Sequence, residues 1–473
     1  STEPRHCRCL KILTCSSAIC CLISVRMIDS KRLLRWVFAG LMALTASMAV
    51  HAELSIDITQ GVTDPIPIAV VPFARAVPAD GGLDVAAVVQ HDLDGSGRFR
   101  TMARTAMLSQ PTQSSQVQSA AWRAAGNDYV LIGRVLPLSS AEAAAQGGTL
   151  AVECELFNTF SGQSLGTVRV LANADSLRNS AHRVSDFVYE KIIGTRGAFA
   201  TRIAYVAVDG QPPNQRYQLI VADSDGESPK VVLASRLPIM SPAWSSDGQW
   251  LAYVSFESST SAIYIQRLSS GERRRVSARV GINGAPAFSP DGKRLALTLS
   301  GSGGNLDIYI LDLATQALTR VTTDPAIDTE PVWSRDGQQL YFTSDRSGGP
   351  QIYVAAAAAS APAKRLTFGS SYNARPRISP DGKSLAFVTR DGSGYRVAVQ
   401  DLGGMGSSTV RTLTRGPLDE SPDFAPNGLS LIYAGRNGAA GVLATISVDG
   451  QIAQRLRSDQ GEVREPVWGP LLP

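Results

Sequence analysis

A short phrase recurs six times between Pro242 and Trp468: a proline, one variable residue, then usually an aromatic. The copies are Pro242-Ala243-Trp244, Pro286-Ala287-Phe288, Pro331-Val332-Trp333, Pro376-Arg377-Ile378, Pro422-Asp423-Phe424 and Pro466-Val467-Trp468, and the first five run on to Asp-Gly or Asn-Gly. Their starts lie 44, 45, 45, 46 and 44 residues apart. A repeat of that length is one blade of a β-propeller, a unit that cannot bury its apolar face alone and must stack on its neighbours.

Each repeat supplies four strands. After the Pro-x-aromatic strand come short β-rich runs, such as Trp250 to Ser255, Ile263 to Gln266 and Arg275-Val276, or Arg294 to Thr298, Ile308 to Leu311 and Arg320 to Thr322. The pairs Asp247-Gly248, Asp291-Gly292, Asp336-Gly337, Asp381-Gly382 and Asn427-Gly428 fit tight connections that need positive φ. At the ends the count is uneven. Ile203 to Val206, Tyr217 to Val221 and Val231 to Leu233 make three strands with no motif strand before them, while Pro466-Val467-Trp468 is a motif strand with no followers. The last strand should therefore complete the first blade and close a six-membered ring, which removes the exposed sheet edges. The five alanines Ala355 to Ala359 read as a tolerated insertion between strands.

Before the repeats the pattern mixes periods. Leu54, Ile56 and Ile58 alternate, and Ile68 to Val71 form an apolar run. Leu83, Val85, Ala86, Val89 and Leu93 fall at helical spacing, whereas Tyr129 to Ile132 and Leu150 to Phe157 read as strands. Val184, Phe187, Val188, Ile192 and Ile193 mark a closing helix, with Gly194 and Gly197 as its stop and a hinge into the next domain. The fold class expected is an α+β two-domain protein, a small α/β domain over residues 63–197 followed by a six-bladed β-propeller over residues 198–473.

The start has its own logic. Lys31, Arg32 and Arg35 precede an apolar stretch from Trp36 to Val50, and Val50-His51-Ala52 offers small residues for cleavage. Residues 27–52 thus read as a secretory signal peptide beginning at Met27, with residues 1–26 an upstream extension. The apolar run is short for a membrane span. Five cysteines crowd into the first 21 residues without zinc-ligand spacing, and only Cys154 follows, so no disulfide is expected in the exported chain. Beyond residue 52 the chain carries 38 Lys or Arg against 39 Asp or Glu. That balance, with no basic-aromatic recognition motif, gives no reason to expect nucleic acid as a partner.

Catalytic groups are scarce. The histidines are His6, His51, His91 and His182, none of them in the propeller, and no G-x-S-x-G elbow is present. His91 and His182 read as surface or helix-packing residues. Asp92-Leu93-Asp94-Gly95-Ser96-Gly97 resembles the start of an EF-hand loop, but its twelfth position is Ala103, so a helix-to-strand turn is the better reading and no metal or other cofactor is expected. Asp328 and Glu330 stay open as a carboxylate pair at the mouth of the ring. A binding surface is expected instead where segments enter the inner strands: Met240-Ser241, Asn283 to Ala285, Asp328 to Glu330, Ala374-Arg375, Glu420-Ser421 and Arg464-Glu465. None of these is aromatic, which disfavours a glycan binder. A propeller-based lyase or a peptidase accessory domain is the enzymatic alternative.

The whole pattern resembles the TolB family. The resemblance rests on Glu53-Leu54-Ser55-Ile56-Asp57-Ile58, Pro67 to Phe73, Gly197-Ala198-Phe199 with Thr201 to Tyr205, and the repeats carrying Ser241-Pro242-Ala243-Trp244-Ser245, Asn283-Gly284-Ala285-Pro286-Ala287-Phe288 and Thr329-Glu330-Pro331. It implies a soluble periplasmic, non-enzymatic adaptor of the Tol-Pal system of Gram-negative bacteria, supporting outer-membrane integrity and constriction during division, with no span of its own. It implies that the propeller mouth receives the peptidoglycan-associated lipoprotein Pal, placing that contact at Ser241, Ile282, Asn283, Gly284, Ala285, Thr329, Glu330, Arg375 and Ser421. It further implies that residues 53–62 bind TolA, through Glu53, Leu54, Ser55, Ile56, Asp57 and Ile58. Other Tol-Pal and outer-membrane proteins are further implied partners. Ile282 departs from the histidine the resemblance leads one to expect there. An aliphatic chain fills a pocket but donates no hydrogen bond.

Overall fold

Helix and strand periods separate in space as they do in sequence. The computed structural model describes residues 57–60, 64–76, 82–301, 303–392, 394–403, 409–438, 440–456 and 461–472. The signal-peptide and extension readings, and residues 53–56 and 61–62 of the expected TolA-binding segment, lie outside the described residues.

In the α/β domain a sheet is ordered β4-β2-β5-β6-β7, from β2 (Ile66–Val70), β4 (Phe99–Thr101), β5 (Tyr129–Pro137), β6 (Leu150–Asn158) and β7 (Ser164–Ala172), with the short β3 (Ala74–Arg75) also on β5. Strands β2 and β4 pair in parallel and β5, β6 and β7 pair antiparallel. Helices α1 (Val85–Gly95) and α4 (Leu177–Ile193) share a core with one sheet face, where Val85, Val89, Leu93, Val184 and Val188 meet Ile68, Leu131 and Leu156. Asp84 caps α1 by accepting from the Ala87 amide at 3.0 Å, which satisfies one of the amides a helix start leaves open. On the other face the short helix α2 (Ser119–Ala124) buries Trp122 against Val71, Val130 and Phe157. A further short helix, α3 (Ser140–Gln146), opens on a capping box between Ser139 and Glu142.

The propeller has six four-stranded antiparallel sheets. Its inner strands are Ile239–Trp244, Asn283–Phe288, Asp328–Trp333, Asn373–Ile378, Glu420–Phe424 and Glu462–Trp468. Each touches the next, and the last touches the first. As expected, Glu462–Trp468 pairs with β8 (Arg202–Asp209), followed outward by β9 (Arg216–Asp223) and β10 (Lys230–Ser235), so the final strand completes blade 1. Blade 6 carries a fifth strand, β1 (Asp57–Gln60), on its outermost strand Ala453–Arg455. The Asp-Gly turns are built from side chains: Asp247 Oδ1 accepts from the Ser245 hydroxyl at 2.5 Å and from the Gln249 amide at 3.0 Å, while Gly248 takes φ 66°.

Two expectations need correction. Ala355 and Ala356 belong to the strand Gln351–Ala356, and Ala357 packs on the same core, so the alanine run is partly sheet rather than an inserted loop. Gly197 is not an open hinge. A Cβ there would stand 2.5 Å from Asp186 Oδ1, and Asp186 accepts from the amides of Phe199 at 2.8 Å and Ala200 at 3.4 Å. The chain needs glycine because it passes close to a buried carboxylate.

Candidate functional site

The residue before each motif proline adopts the left-handed region although none of the six is glycine. The φ values are 52° at Ser241, 44° at Ala285, 57° at Glu330, 57° at Arg375, 54° at Ser421 and 49° at Glu465. At each of these points the pairing register of the inner strand slips, the signature of a β-bulge. Non-glycine residues hold this conformation only where surrounding structure imposes it, at a cost of about 1–3 kcal/mol each. The bulge brings all six residues to the wall of one cavity along the ring axis, which Trp244, Phe288, Val332, Arg377, Asp423 and Trp468 also line.

Arg375 is the hub of that wall. Its guanidinium bonds Ser421 Oγ and lies 3.2 Å from Glu330 Oε1 and 3.4 Å from Glu465 Oε1. Glu465 Oε2 in turn accepts from the Ser241 amide at 2.5 Å, and Glu330 Oε2 accepts from the Thr343 hydroxyl at 2.9 Å and the Arg375 amide at 3.0 Å. One arginine so links blades 4, 5, 6, 1 and 2. Burial would lower its pKa, but the charges of Glu330 and Glu465 raise it further above the usual arginine value. Deeper in, Arg377 pairs with Asp423 at 3.3 Å, and Asp423 accepts from the Trp468 amide at 2.7 Å, tying blade 6 to the closing strand. Burial pushes the Asp423 carboxyl above the usual range against the pull of Arg377.

The segments that enter the inner strands gather at one mouth. There Met240, Val280, Ile282, Ile327 and Phe368 are exposed, Val280 completely and Ile282 at 51%. In chain order these residues run from blade 2 to blade 5, an apolar crescent in and just before the inner strands. Large apolar side chains left exposed are candidates for an interaction surface. Val280, Ile327 and Phe368 were not legible as site residues from the repeat, because they sit in loops outside the repeated motif; their one signal is a large apolar side chain among turn-forming residues.

The expected site residues divide into two groups. Ser241, Ala285, Glu330, Arg375 and Ser421 line the cavity, and Ile282 stands on the crescent, its amide held by Ser300 Oγ at 2.8 Å. Gly284 and Thr329 flank the bulges in the inner strands. Asn283 is 1% exposed, and its side chain accepts from the Ser277 hydroxyl at 2.6 Å and donates to the Arg279 carbonyl at 2.7 Å, so it holds the loop carrying Val280 and Ile282 rather than facing outward. Asp57 and Ile58 lie in β1 on the blade-6 edge.

The open carboxylate pair is not a pair. Asp328 is buried and takes both oxygens to Arg346 at 2.9 Å, while Glu330 serves Arg375. The EF-hand-like stretch is the end of α1, with Asp94 accepting from the Thr101 amide at 2.7 Å. The histidines are a sharper correction. His182 is fully buried in a cluster of charges with Asp92 and Asp223, and His91 lies 3.9 Å from Asp225, so neither is a surface or simple packing residue. Cys154 is buried and free, its thiol pushed up to about 12 by burial. Among the described residues no helix is long and apolar enough to cross a membrane.

Comparison with known proteins fits this architecture. Residues 54–165 match the family model of the TolB amino-terminal domain and residues 189–472 that of the TolB beta propeller domain. A Tol-Pal system protein TolB from Methylococcus capsulatus is 54% identical over 441 residues, covering 93% of this chain and 99% of that one. One from Xanthomonas campestris is 46% identical over 450 residues, with the same coverage. The crystal structure of TolB from Acinetobacter baumannii superposes with a TM-score of 0.78 at 41% identity, over 88% of this chain and 99% of the other. With both domains matched in order and the closing strand in place, the chain belongs to the TolB family.

Proposed function

We propose that this chain is a periplasmic, non-enzymatic adaptor of the Tol-Pal system, which binds Pal at the propeller mouth and TolA through its N-terminal segment. The Tol-Pal assignment is supported by the names of its relatives. The observation that carries the mouth as a docking face is the apolar crescent of Met240, Val280, Ile282, Ile327 and Phe368 together with the Arg375 ring. A rigid face of that kind suits a folded partner. Ile282, in place of the expected histidine, extends the crescent and shifts the recognition there from a hydrogen bond to apolar contact. The ionic groups nearest the mouth are spent on one another, which gives a binding wall rather than a free acid or base.

The N-terminal segment is suited to exchange between partners. β1 pairs with an edge strand through three residue pairs and a register break, so little backbone pairing holds it. An edge strand of this kind adds to a partner sheet once released. Residues 53–62 would then have two homes, and a partner that binds only one state shifts the balance.

Titration calorimetry of the chain from Glu53 onward with the soluble domain of Pal tests the reading. Ile282→Asp should weaken binding at least tenfold with unchanged melting temperature, and deletion of residues 53–62 should abolish TolA binding while Pal binding survives. A folded wild-type chain that ignores Pal overturns the adaptor reading and returns attention to the lyase and peptidase-accessory alternatives.

A further inference from the structure

The two histidines among the described residues converge on one place, the contact between the α/β domain and blade 1. From α4, His182 is 1% exposed, with Nδ1 2.8 Å from Asp92 Oδ2 of α1 and Nε2 3.8 Å from Asp223 Oδ2 at the end of β9. Ser185 Oγ donates to the same Asp92 oxygen at 2.6 Å. Arg178, also on α4, donates to Asp223 at 3.1 Å and bonds Asp225. His91 of α1 faces Asp225 at 3.9 Å. On the far side Arg202 of β8 feels the charge of Asp223, and Asp186 of α4 that of Asp92.

Charge balance assigns the roles. Against three aspartates, Asp92, Asp223 and Asp225, stand Arg178, paired directly with Asp223 and Asp225, and Arg202, which acts only through the charge of Asp223, so negative charge is in excess before the histidines are counted. Burial of uncompensated charge is costly. A proton on each nitrogen of His182 supplies one positive charge between two carboxylates, one in each domain. Burial alone would lower the pKa of His182; the charge of Asp92, the hydrogen bond to it and the nearness of Asp223 lift it to about 10. On the other side of the contact, burial would raise the Asp223 carboxyl, but His182 and Arg178 hold it below the usual range. Asp92, His182 and Asp225 also bring ligand atoms within 4.8 Å of one another, the reach of a metal ion. Arg178 already occupies Asp225, however, and the 2.8 Å between His182 and Asp92 is the length of a hydrogen bond with no room for an intervening ion.

The same contact continues to blade 6. A Cβ on Gly95 would stand 3.0 Å from the Gln454 amide nitrogen, a Cβ on Gly97 2.5 Å from Ile452, and Arg98 pairs with Asp449 at 3.1 Å. The end of α1 therefore rests on the hairpin whose outer strand carries β1. We propose that His182, as an imidazolium, clasps the α/β domain onto blade 1, and that loss of its charge loosens α1 from the blade-6 hairpin and with it the docking of β1. This inference is independent of any partner.

Hydrogen–deuterium exchange of the chain from Glu53 onward at pH 7.5 tests it, comparing wild type, His182→Gln, Asp223→Asn and the double variant. Asp223→Asn keeps every side chain of α4 and an acceptor for Arg178, so it remains informative if the histidine variant folds poorly. The expected result is at least tenfold faster exchange in β1, Ala453–Arg455 and the end of α1 for each single variant. The double variant should add less than the product of the two, since both break the His182–Asp223 pair. Unchanged exchange in β1 for Asp223→Asn, or fully multiplicative effects, overturns the clasp. So does stabilisation of the wild type by Zn²⁺ that is lost in His182→Gln, which would make the cluster a metal site.

Discussion

Replacing Arg375 by methionine keeps the aliphatic stem and removes the charge that joins blade 5 to blades 4, 6 and 1. The loss is calculable from what remains. Glu330 keeps the Thr343 hydroxyl and the Arg375 amide, and Glu465 keeps the Ser241 amide, so neither carboxylate is stranded without a donor. What disappears is two ion pairs and one bond to Ser421. Charge-assisted bonds contribute about 1.5–3 kcal/mol each when buried, and exposed pairs about 0–1 kcal/mol. With side chains 30%, 25% and 15% exposed, these pairs fall between. The sum, including repulsion between the two remaining carboxylates, is about 2–4 kcal/mol of propeller stability near neutral pH. Urea unfolding followed by tryptophan fluorescence measures it, since Trp244 and Trp468 line the same cavity. Adding Glu465→Gln to Arg375→Met should recover part of the loss, because it removes half of the repelling pair, whereas Glu465→Gln alone should destabilise. A loss under about 0.5 kcal/mol, or a double variant worse than Arg375→Met, would refute the hub.

Two further outcomes follow from particular contacts. A Cβ on Gly133 would lie 2.4 to 2.6 Å from three ring carbons of Phe73, so Gly133→Ala should cost about 1–3 kcal/mol and Phe73→Leu should relieve much of it; calorimetric melting of the two single variants and the double variant decides. Asp186 is raised to about 6 by burial, against the pull of the Phe199 and Ala200 amides. A carboxyl with a folded pKa above its unfolded value favours the folded state at low pH, and that contribution is lost as pH rises from about 4 through about 6. Asp186→Asn keeps an acceptor for the Phe199 amide and should remove this window, seen as a flatter melting temperature between those pH values; an unaltered pH profile would contradict it.

The propeller was legible because its periodicity is strict. Each inner strand carries a proline beyond the bulge and a large apolar residue two positions on, aromatic in five of the six, and five of the six run on to a glycine where φ turns positive, so the sequence repeats what the geometry repeats. The α/β domain was read only in part. Its long apolar elements, α1, β5, β6 and α4, were visible, while β7 was missed because its alternation is weak and the residues facing solvent include Thr167 and Arg169. The clasp at His182 was invisible for a different reason. Asp92 and His182 are ninety residues apart and Asp223 lies in another domain, and no local period marks residues that meet only when two domains touch.

The six bulge positions separate backbone from chemistry. Their φ values span only 44° to 57°, yet the residues are Ser, Ala, Glu, Arg, Ser and Glu. No glycine is used, although glycine would adopt this conformation without strain. A glycine would supply no side chain to the channel wall, and the left-handed bulge is what aims one there. The fold thus specifies where the side chain stands, and the residue type sets the chemistry of the cavity wall. That division explains why a hydrogen-bonded ionic ring and an apolar crescent coexist on one repeat. The ring comes from residues at the bulge, where the backbone is fixed, and the crescent from the segments around it, where side chains such as Val280 and Phe368 set the surface without disturbing the strands.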